Sequence, residues 1–357
     1  MKKVIWIVGV ALGAILNMNG LGIVWAVLIA LAVVGLLNLI VMAVGSVNGD
    51  SKGMKFSKGN KLTKAAAEGD IEQVKNLLQE GKFSDSISDA LISAGANGKT
   101  EMVQFLIKNG ADVNFVDVSG FTPLALASTN ADIARILLEN GAEVNKINQL
   151  SNGGDGTALI IAAEGNYEVV KILLKNGADV NYVCKDNMTA LTTALQNNQS
   201  DIACLLLKAG ANPNCKYKGF SPLMWVVGQE GKENIKLVEA LLAAGADVNY
   251  TFSKDMKPSE LAGRTTLMAA SLMGNTESVK NLLAAGVDVN HTEDRGTTAL
   301  MFAAANGYAE IVQILLENGA DTGKIVTNES GTYTAMRLAK ANNHNNCVKI
   351  LSEWKNK

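Results

Sequence analysis

One phrase recurs along the chain and limits what it can fold into. "KILLKNGADVN" (171–181) returns as "QFLIKNGADVN" (104–114), "RILLENGAEVN" (135–145), "EALLAAGADVN" (239–249), "NLLAAGVDVN" (281–290) and "QILLENGADTG" (313–323), with a degenerate copy "LLLKAGANPN" at 205–214. Aligned on their glycines (Gly81, Gly110, Gly141, Gly177, Gly210, Gly245, Gly286, Gly319), the copies are spaced 29, 31, 36, 33, 35, 41 and 33 residues apart. A period near 33 is the signature of a solenoid, in which each unit contacts mainly its neighbours.

The unit can be read physically. In "YEVVKILLKN" (167–176) Val169, Val170, Ile172, Leu173 and Leu174 are apolar, while Glu168, Lys171 and Lys175 are not. This predicts a helix with a broad apolar face. It stops at Gly177, the residue type best suited to a left-handed cap. Upstream, "TALIIAAEGN" (157–166) opens on Thr157, a good helix N-cap. In "FTPLALA" (121–127), Pro123 follows Thr122 at a position where proline is tolerated. Ala127, Ala162, Ala194, Ala270 and Ala303 recur at one place in this first helix, where small side chains admit a close neighbour. Each unit is therefore expected to be helix, turn, helix and an extended finger. A single unit buries too little apolar surface to offset the ordering of its backbone, so stacking is required.

At these residues the chain resembles an ankyrin-repeat protein. The segments "GDGTALIIAAEGN…KILLKNGADVN" (154–181) and "RGTTALMFAAANGY…QILLENGADTG" (295–323) match the ankyrin pattern almost throughout. The resemblance covers about residues 60–357 and implies an all-α solenoid of nine units. Their first-helix marks are Leu62, Leu91, Leu124, Leu159, Leu191, Leu223, Leu267, Leu300 and Met336. Two departures stand out. The histidine of the family's T-P-L-H is absent, replaced by Ala125, Ile160, Thr192, Met224, Met268, Met301 and Arg337 in the later seven units. In the family that histidine links neighbours by hydrogen bonds, so this array is expected to lean more on apolar packing. The spacing is also irregular. Leu223 to Gly245 is 22 residues against 17 to 19 in other units, so "GQEGKENIK" (228–236) is expected to lengthen an inter-helix turn. "TFSKDMKPSELA" (251–262) and "NQLSNGGDG" (148–156) are expected to enlarge fingers. The last unit, "MRLAKANNHNNCVKILSEWKNK" (336–357), is polar where a terminal unit needs a wet face.

The amino terminus is different. Val4 to Gly49 holds no charged residue over 46 positions, about 69 Å as helix at ~1.5 Å per residue. A bilayer span needs about 20 apolar residues. The stretch suits a helical hairpin of arms 4–16 and 21–44 turning at "NMNG" (17–20), an anchor domain over 1–47. A single span with a short interfacial lead, or a cleaved signal peptide, are the other readings. Lys2 and Lys3 precede the stretch, and Lys52, Lys55, Lys58, Lys61 and Lys64 follow it, which favours both ends cytoplasmic. Gly9 with Gly13, and Ala26 with Ala30, are spaced for close helix approach. Residues 48–60 read as a basic flexible linker, and 61–357 as the repeat domain. The short "MKK" start and the lysine- and asparagine-rich wording point to a bacterial source, hence an inner membrane. Cys184, Cys204, Cys215 and Cys347 have no C-x-x-C spacing, which suits a reducing cytosol.

No catalytic constellation is found. His291 and His344 are the two histidines, too few and too far apart for a triad or a zinc cluster. "GQEGKE" (228–233) places Glu233 where a phosphate loop needs Ser or Thr. No cofactor, metal or small-molecule substrate is expected. A net charge of −2 gives no bulk argument for nucleic acid. What varies between units is the finger and inner-helix face: Phe115, Lys146, Tyr182, Tyr217, Trp225, Tyr250, Phe252 and His291. Exposed aromatics on a concave surface suit protein binding, although some are expected to pack between fingers instead. The chain is thus expected to be a membrane-anchored, non-catalytic binder of a protein partner. The alternatives are a scaffold or regulatory subunit of a membrane assembly, and an exported effector should the leader be removed.

Overall fold

The structure is a computed structural model, and it describes residues 61–81, 86–149, 154–185, 187–228, 232–253, 261–328 and 331–354. The expected hairpin at 4–16 and 21–44 and the linker at 48–60 lie outside the described residues. Among the described residues, no helix is long and apolar enough to cross a membrane.

Helices come in pairs. The first helices are α1 (Lys61–Glu68), α3 (Ile87–Ala96), α5 (Pro123–Leu126), α7 (Ala158–Ala162), α9 (Ala190–Gln196), α11 (Pro222–Val227), α13 (Thr266–Met273), α15 (Ala299–Asn306) and α17 (Ala335–Ala341). Each is followed by a second helix: α2 (Ile71–Gln79), α4 (Thr100–Lys108), α6 (Ala131–Glu139), α8 (Tyr167–Lys175), α10 (Ser200–Lys208), α12 (Lys232–Ala243), α14 (Thr276–Ala284), α16 (Ala309–Glu317) and α18 (Asn345–Trp354). First helices pack on neighbouring first helices and second on second, so the core runs unbroken along the stack.

The α8 sequence shows why. Val169, Val170 and Leu173 are buried, while Glu168, Lys171 and Lys175 face water. The Asn166 side chain accepts from the Val169 N–H at 3.0 Å and starts the helix. Asn176 donates back to the Ile172 carbonyl at 2.8 Å, and Gly177 turns the chain with φ +82°. The small column, Ala127, Ala162, Ala194, Ala270 and Ala303, is buried throughout. The insertion near 228–236 is only partly a longer turn. The second helix α12 has 12 residues where α8, α10 and α14 have 9, so helix absorbs some of the extra length.

First helices are capped by hydroxyls. Thr122, Thr189, Ser221, Thr265, Thr298 and Thr334 each accept from the N–H three residues on. Ser86 and Thr157 make no such bond, and the Thr157 hydroxyl is buried without a partner. Thr298→Ala is therefore expected to cost about 1 kcal/mol, and Thr157→Ala to lose nothing from capping. Thermal melts of the two variants check the contrast. Equal losses would mean that the hydroxyl bond at Thr298 contributes nothing.

The missing histidine is compensated in two ways. Ile160, Met224, Met268 and Met301 are buried at its position, as the apolar expectation requires. A polar ladder is added that the expectation omitted. The closing asparagine of the phrase bonds the backbone of the next unit. Asn181 donates to the Gly210 carbonyl at 3.0 Å and accepts from the Asn212 N–H at 2.8 Å. Asn114, Asn145, Asn214 and Asn290 do the same one unit along.

Each finger closes at a fixed place, three residues past this ladder position. Asp117 pairs with Phe121, Cys184 with Met188, Glu293 with Thr297 and Tyr217 with Phe220. The expanded fingers obey the same rule. Asn148 opens β1 (Asn148–Gln149), which pairs with β2 (Asp155–Gly156), and Val326 opens β3 (Val326–Asn328), which pairs with β4 (Gly331–Tyr333). Phe252 meets Arg264 across the longest insertion. Extra residues enter beyond the closing pair, so they lengthen the tip and leave the stacking register intact.

Candidate functional site

The surface that varies over this constant frame is made by the fingers and the fourth residue of each first helix. That helix column reads Leu126, Ile161, Thr193, Trp225, Ala269, Phe302 and Leu338, half-buried except for Thr193, which is buried. In the fingers, the position two past the ladder residue reads Val116, Ile147, Val183, Lys216, Thr251, Thr292 and Ile325. Val116, Ile147 and Val183 are 42%, 49% and 55% exposed on three successive fingers, an apolar row that solitary surface residues would not make.

The structure places the expected binding residues unequally. Phe252 is 1% exposed and sits 5.0 Å from the Phe220 ring. It is part of the finger interior and cannot meet a partner. Its N–H bond to the Arg264 carbonyl, across the insertion, turns the side chain inward. Trp225 stays half-buried on the groove face, edge-on to Phe220 with ring centres 5.9 Å apart. Tyr250 donates its hydroxyl to the Gly219 carbonyl of the preceding finger at 2.7 Å, and the Lys216 ammonium lies 4.9 Å from its ring centre. Tyr217 carries Lys218 at 5.0 Å. Lys146 pairs with Glu143 at 3.3 Å. Phe115 and His291 are half-buried in their own fingers.

Tyr182 is engaged as a clamp. Its hydroxyl donates to Asp155 at 2.6 Å, and the same carboxylate accepts from the Lys185 N–H at 2.7 Å. The β1–β2 finger is thereby tied to the next finger. The tyrosine hydroxyl holds the Asp155 carboxyl below its usual range. The carboxylate in turn pushes Tyr182 up to about 12. The signs follow. A depressed carboxyl stabilises the folded state above its unfolded pKa, and that contribution is lost as acid protonates it in the fold. A raised tyrosine contributes fully below about 10 and loses its contribution as the pH rises through about 12. Tyr182→Phe should remove one late-titrating tyrosine from the alkaline absorbance titration and speed amide exchange at Lys185. An unchanged titration would mean that the clamp is not formed.

The four cysteines are free thiols. Cys184 and Cys347 are buried, and burial pushes Cys204, Cys215 and Cys347 up, away from thiolate chemistry. A cleft of about 190 Å³ between two fingers is lined by Val183, Thr189, Leu191 and Cys215, below the ~300–1,000 Å³ of a drug-sized ligand site. Among the described residues no group of histidine, cysteine and acids is placed to hold a metal. The residues that were not singled out in advance are the ladder asparagines, the exposed Val116–Ile147–Val183 row, and two guanidinium–ring pairs, Arg264 over Phe302 at 5.1 Å and Arg337 over Tyr333 at 5.9 Å. Register counting from the ladder asparagine would have found the row.

Comparison with known proteins agrees with this architecture. The family described as "Ankyrin repeats (3 copies)" matches residues 62–148, 145–217, 223–326 and 267–357. The E3 ubiquitin-protein ligase KEG of Arabidopsis thaliana is 31% identical over 319 residues, covering 76% of this chain and 19% of that protein. The ankyrin repeat and KH domain-containing protein mask-1 of Caenorhabditis elegans is 32% identical over 289 residues, covering 78% of this chain and 10% of that one. The chain thus spans a tenth to a fifth of the length of these relatives. Among solved structures, the human ASB11 ankyrin repeat domain superposes with a TM-score of 0.50 at 24% identity, over 64% of this chain and 98% of that one, a likeness of fold. With stacked helix pairs, glycine-ended second helices and matches along nearly all of the described residues, the chain belongs to the ankyrin-repeat family.

Proposed function

We propose that this chain is a non-catalytic protein-recognition module held at a membrane, binding a protein partner through its groove face and fingers. Ankyrin-repeat proteins are protein-interaction modules, and their fold is generally a non-enzymatic binding scaffold. The observation that carries the reading is a repeated frame whose finger tips differ from unit to unit while the asparagine ladder and the closing pairs recur along the array. Nine helix pairs among the described residues support the reading of nine units. Phe115, Lys146, Tyr217, Trp225, Tyr250 and His291 remain candidate contacts, joined by Val116, Ile147 and Val183. Tyr182 acts mainly through its finger.

The uncharged run Val4–Gly49 supports the anchor in this reading, and the lysines on both of its flanks support a cytoplasmic repeat domain. Fusing a reporter active only in the cytoplasm, and separately one active only outside, after Lys357 tests this arrangement. External activity would overturn the hairpin and favour one span or a removed leader, as in an exported protein. A photo-crosslinker at Val183 tests recognition. Capture of one protein there, absent with the crosslinker on the outer helix at Lys171, is the expected result. Capture only from Lys171 would move the interface to the opposite face. Gly9, Gly13, Ala26 and Ala30 favour a second reading, a subunit of a membrane assembly. An oligomer that survives deletion of 60–357 would support it.

A further inference from the structure

Cations are treated differently on the two sides of the array. On the second helices several meet carboxylates: Lys75 with Glu72, Arg135 with Asp132, and Lys280 with both Glu277 at 2.8 Å and Glu310 at 3.4 Å, although Lys171 and Lys208 make no ion pair among the described residues. On the fingers from Lys216 onward and on α17, five cations make no such pair among the described residues. Lys216 rests over Tyr250, Lys218 over Tyr217 and Arg337 over Tyr333. Arg295 and Lys324, on neighbouring fingers, complete the five. Most acids of the same fingers accept backbone N–H groups, while Asp294 is exposed beside Arg295. Asp247, Asp288 and Asp321 accept backbone N–H groups two residues on, at the finger base, and Glu293 is buried against the Thr297 N–H. The result is a row of five cations, three of them resting on ring faces, with Trp225 half-buried on the same face and most of the local carboxylates oriented by turn N–H groups at the finger base.

From this geometry we propose that the carboxyl-terminal half of the face, from Lys216 to Arg337, binds an acidic extended segment of a protein partner. The proposal rests on the protein-recognition reading above and narrows it. Cations poised on aromatic rings keep their charge and lose rotamer freedom before binding, which favours carboxylates arriving in sequence. Three to four unit steps of about 9–10 Å separate the ends of the row, a span of about ten to twelve extended residues. Single-stranded nucleic acid is the other polyanion to consider. It needs open ring faces on which bases can stack, and here one face of each of Tyr217, Tyr250 and Tyr333 is taken by a cation.

The test uses the full chain and three labelled probes: a twelve-residue peptide alternating glutamate and leucine, its lysine–leucine counterpart, and a dT12 oligonucleotide. Anisotropy should show binding of the glutamate peptide, weakening with salt, and none of the lysine peptide. The triple variant Lys216→Glu, Lys218→Glu, Arg337→Glu should weaken the glutamate peptide at least tenfold. A second triple with glutamine at the same positions, checked by circular dichroism, serves if the reversal impairs folding. No binding of the glutamate peptide, equal binding by the variants, or tighter binding of dT12 would overturn the proposal. A protein captured at Val183 whose binding ignores both triples would also overturn it, while leaving protein recognition itself standing.

Discussion

Asn148→Ala is expected to destabilise the repeat array by about 3 kcal/mol, well above a typical surface change. The side chain is fully buried and makes four hydrogen bonds. Its Oδ1 accepts from the Thr122 N–H at 2.8 Å and the Thr122 hydroxyl at 2.9 Å, and its Nδ2 donates to the Lys146 and Gly156 carbonyls at 3.1 and 3.2 Å. Truncation leaves a buried N–H and a buried carbonyl without partners, each costing about 1–3 kcal/mol. The damage is not confined to the finger. Thr122 caps α5, which has only four residues and little hydrogen bonding of its own to fall back on. Urea unfolding followed by circular dichroism measures the loss as a shift in midpoint at constant slope. A loss under about 0.5 kcal/mol would mean that water replaces the amide, and that Asn148 is not the tie between finger and helix.

Asn148 also shows where the sequence stops being readable. The stretch "NQLSNGGDG" announces an expanded finger through its glycines and polar residues, and the finger is there. Nothing local marks its first residue as buried. That status comes from a partner 26 residues upstream, and only the register of the stack brings Asn148 to Thr122. The same holds for the aromatics. Phe252, Tyr250 and Tyr182 occupy similar places in the phrase. One is interior, one bonds the preceding finger, and one clamps Asp155 across 27 residues. The helix pairs, by contrast, were legible because their causes are local. An apolar face of period 3.6, a hydroxyl at the start and a glycine at the end act within about ten residues. The column of small alanines was readable for the same reason. The ladder asparagines lay in plain sight in every "ADVN", but their role is a contact between units, which one unit's sequence does not display.

Leu206→Ala should produce the other large effect, and its form matters as much as its size. Leu206 is fully buried in α10, and truncating such a leucine costs about 2–5 kcal/mol. In a compact domain that loss would lower one cooperative transition. Here α10 touches α8 on one side and α12 on the other, and a stack holds together through such neighbour interfaces. Weakening a central unit should therefore split unfolding in two, with the segments before α9 and after α10 losing amide protection at different denaturant concentrations. Leu351→Ala supplies the contrast. Leu351 is equally buried, at 2% exposure, but lies in the terminal helix α18. Its loss should fray that end and leave protection in α8 and α10 nearly unchanged. Hydrogen exchange along a urea series reads both variants residue by residue. If Leu206→Ala instead shifted every helix together, and Leu351→Ala did the same, the nearest-neighbour account of this array would fail. The repeats would then have to be treated as a single cooperative core.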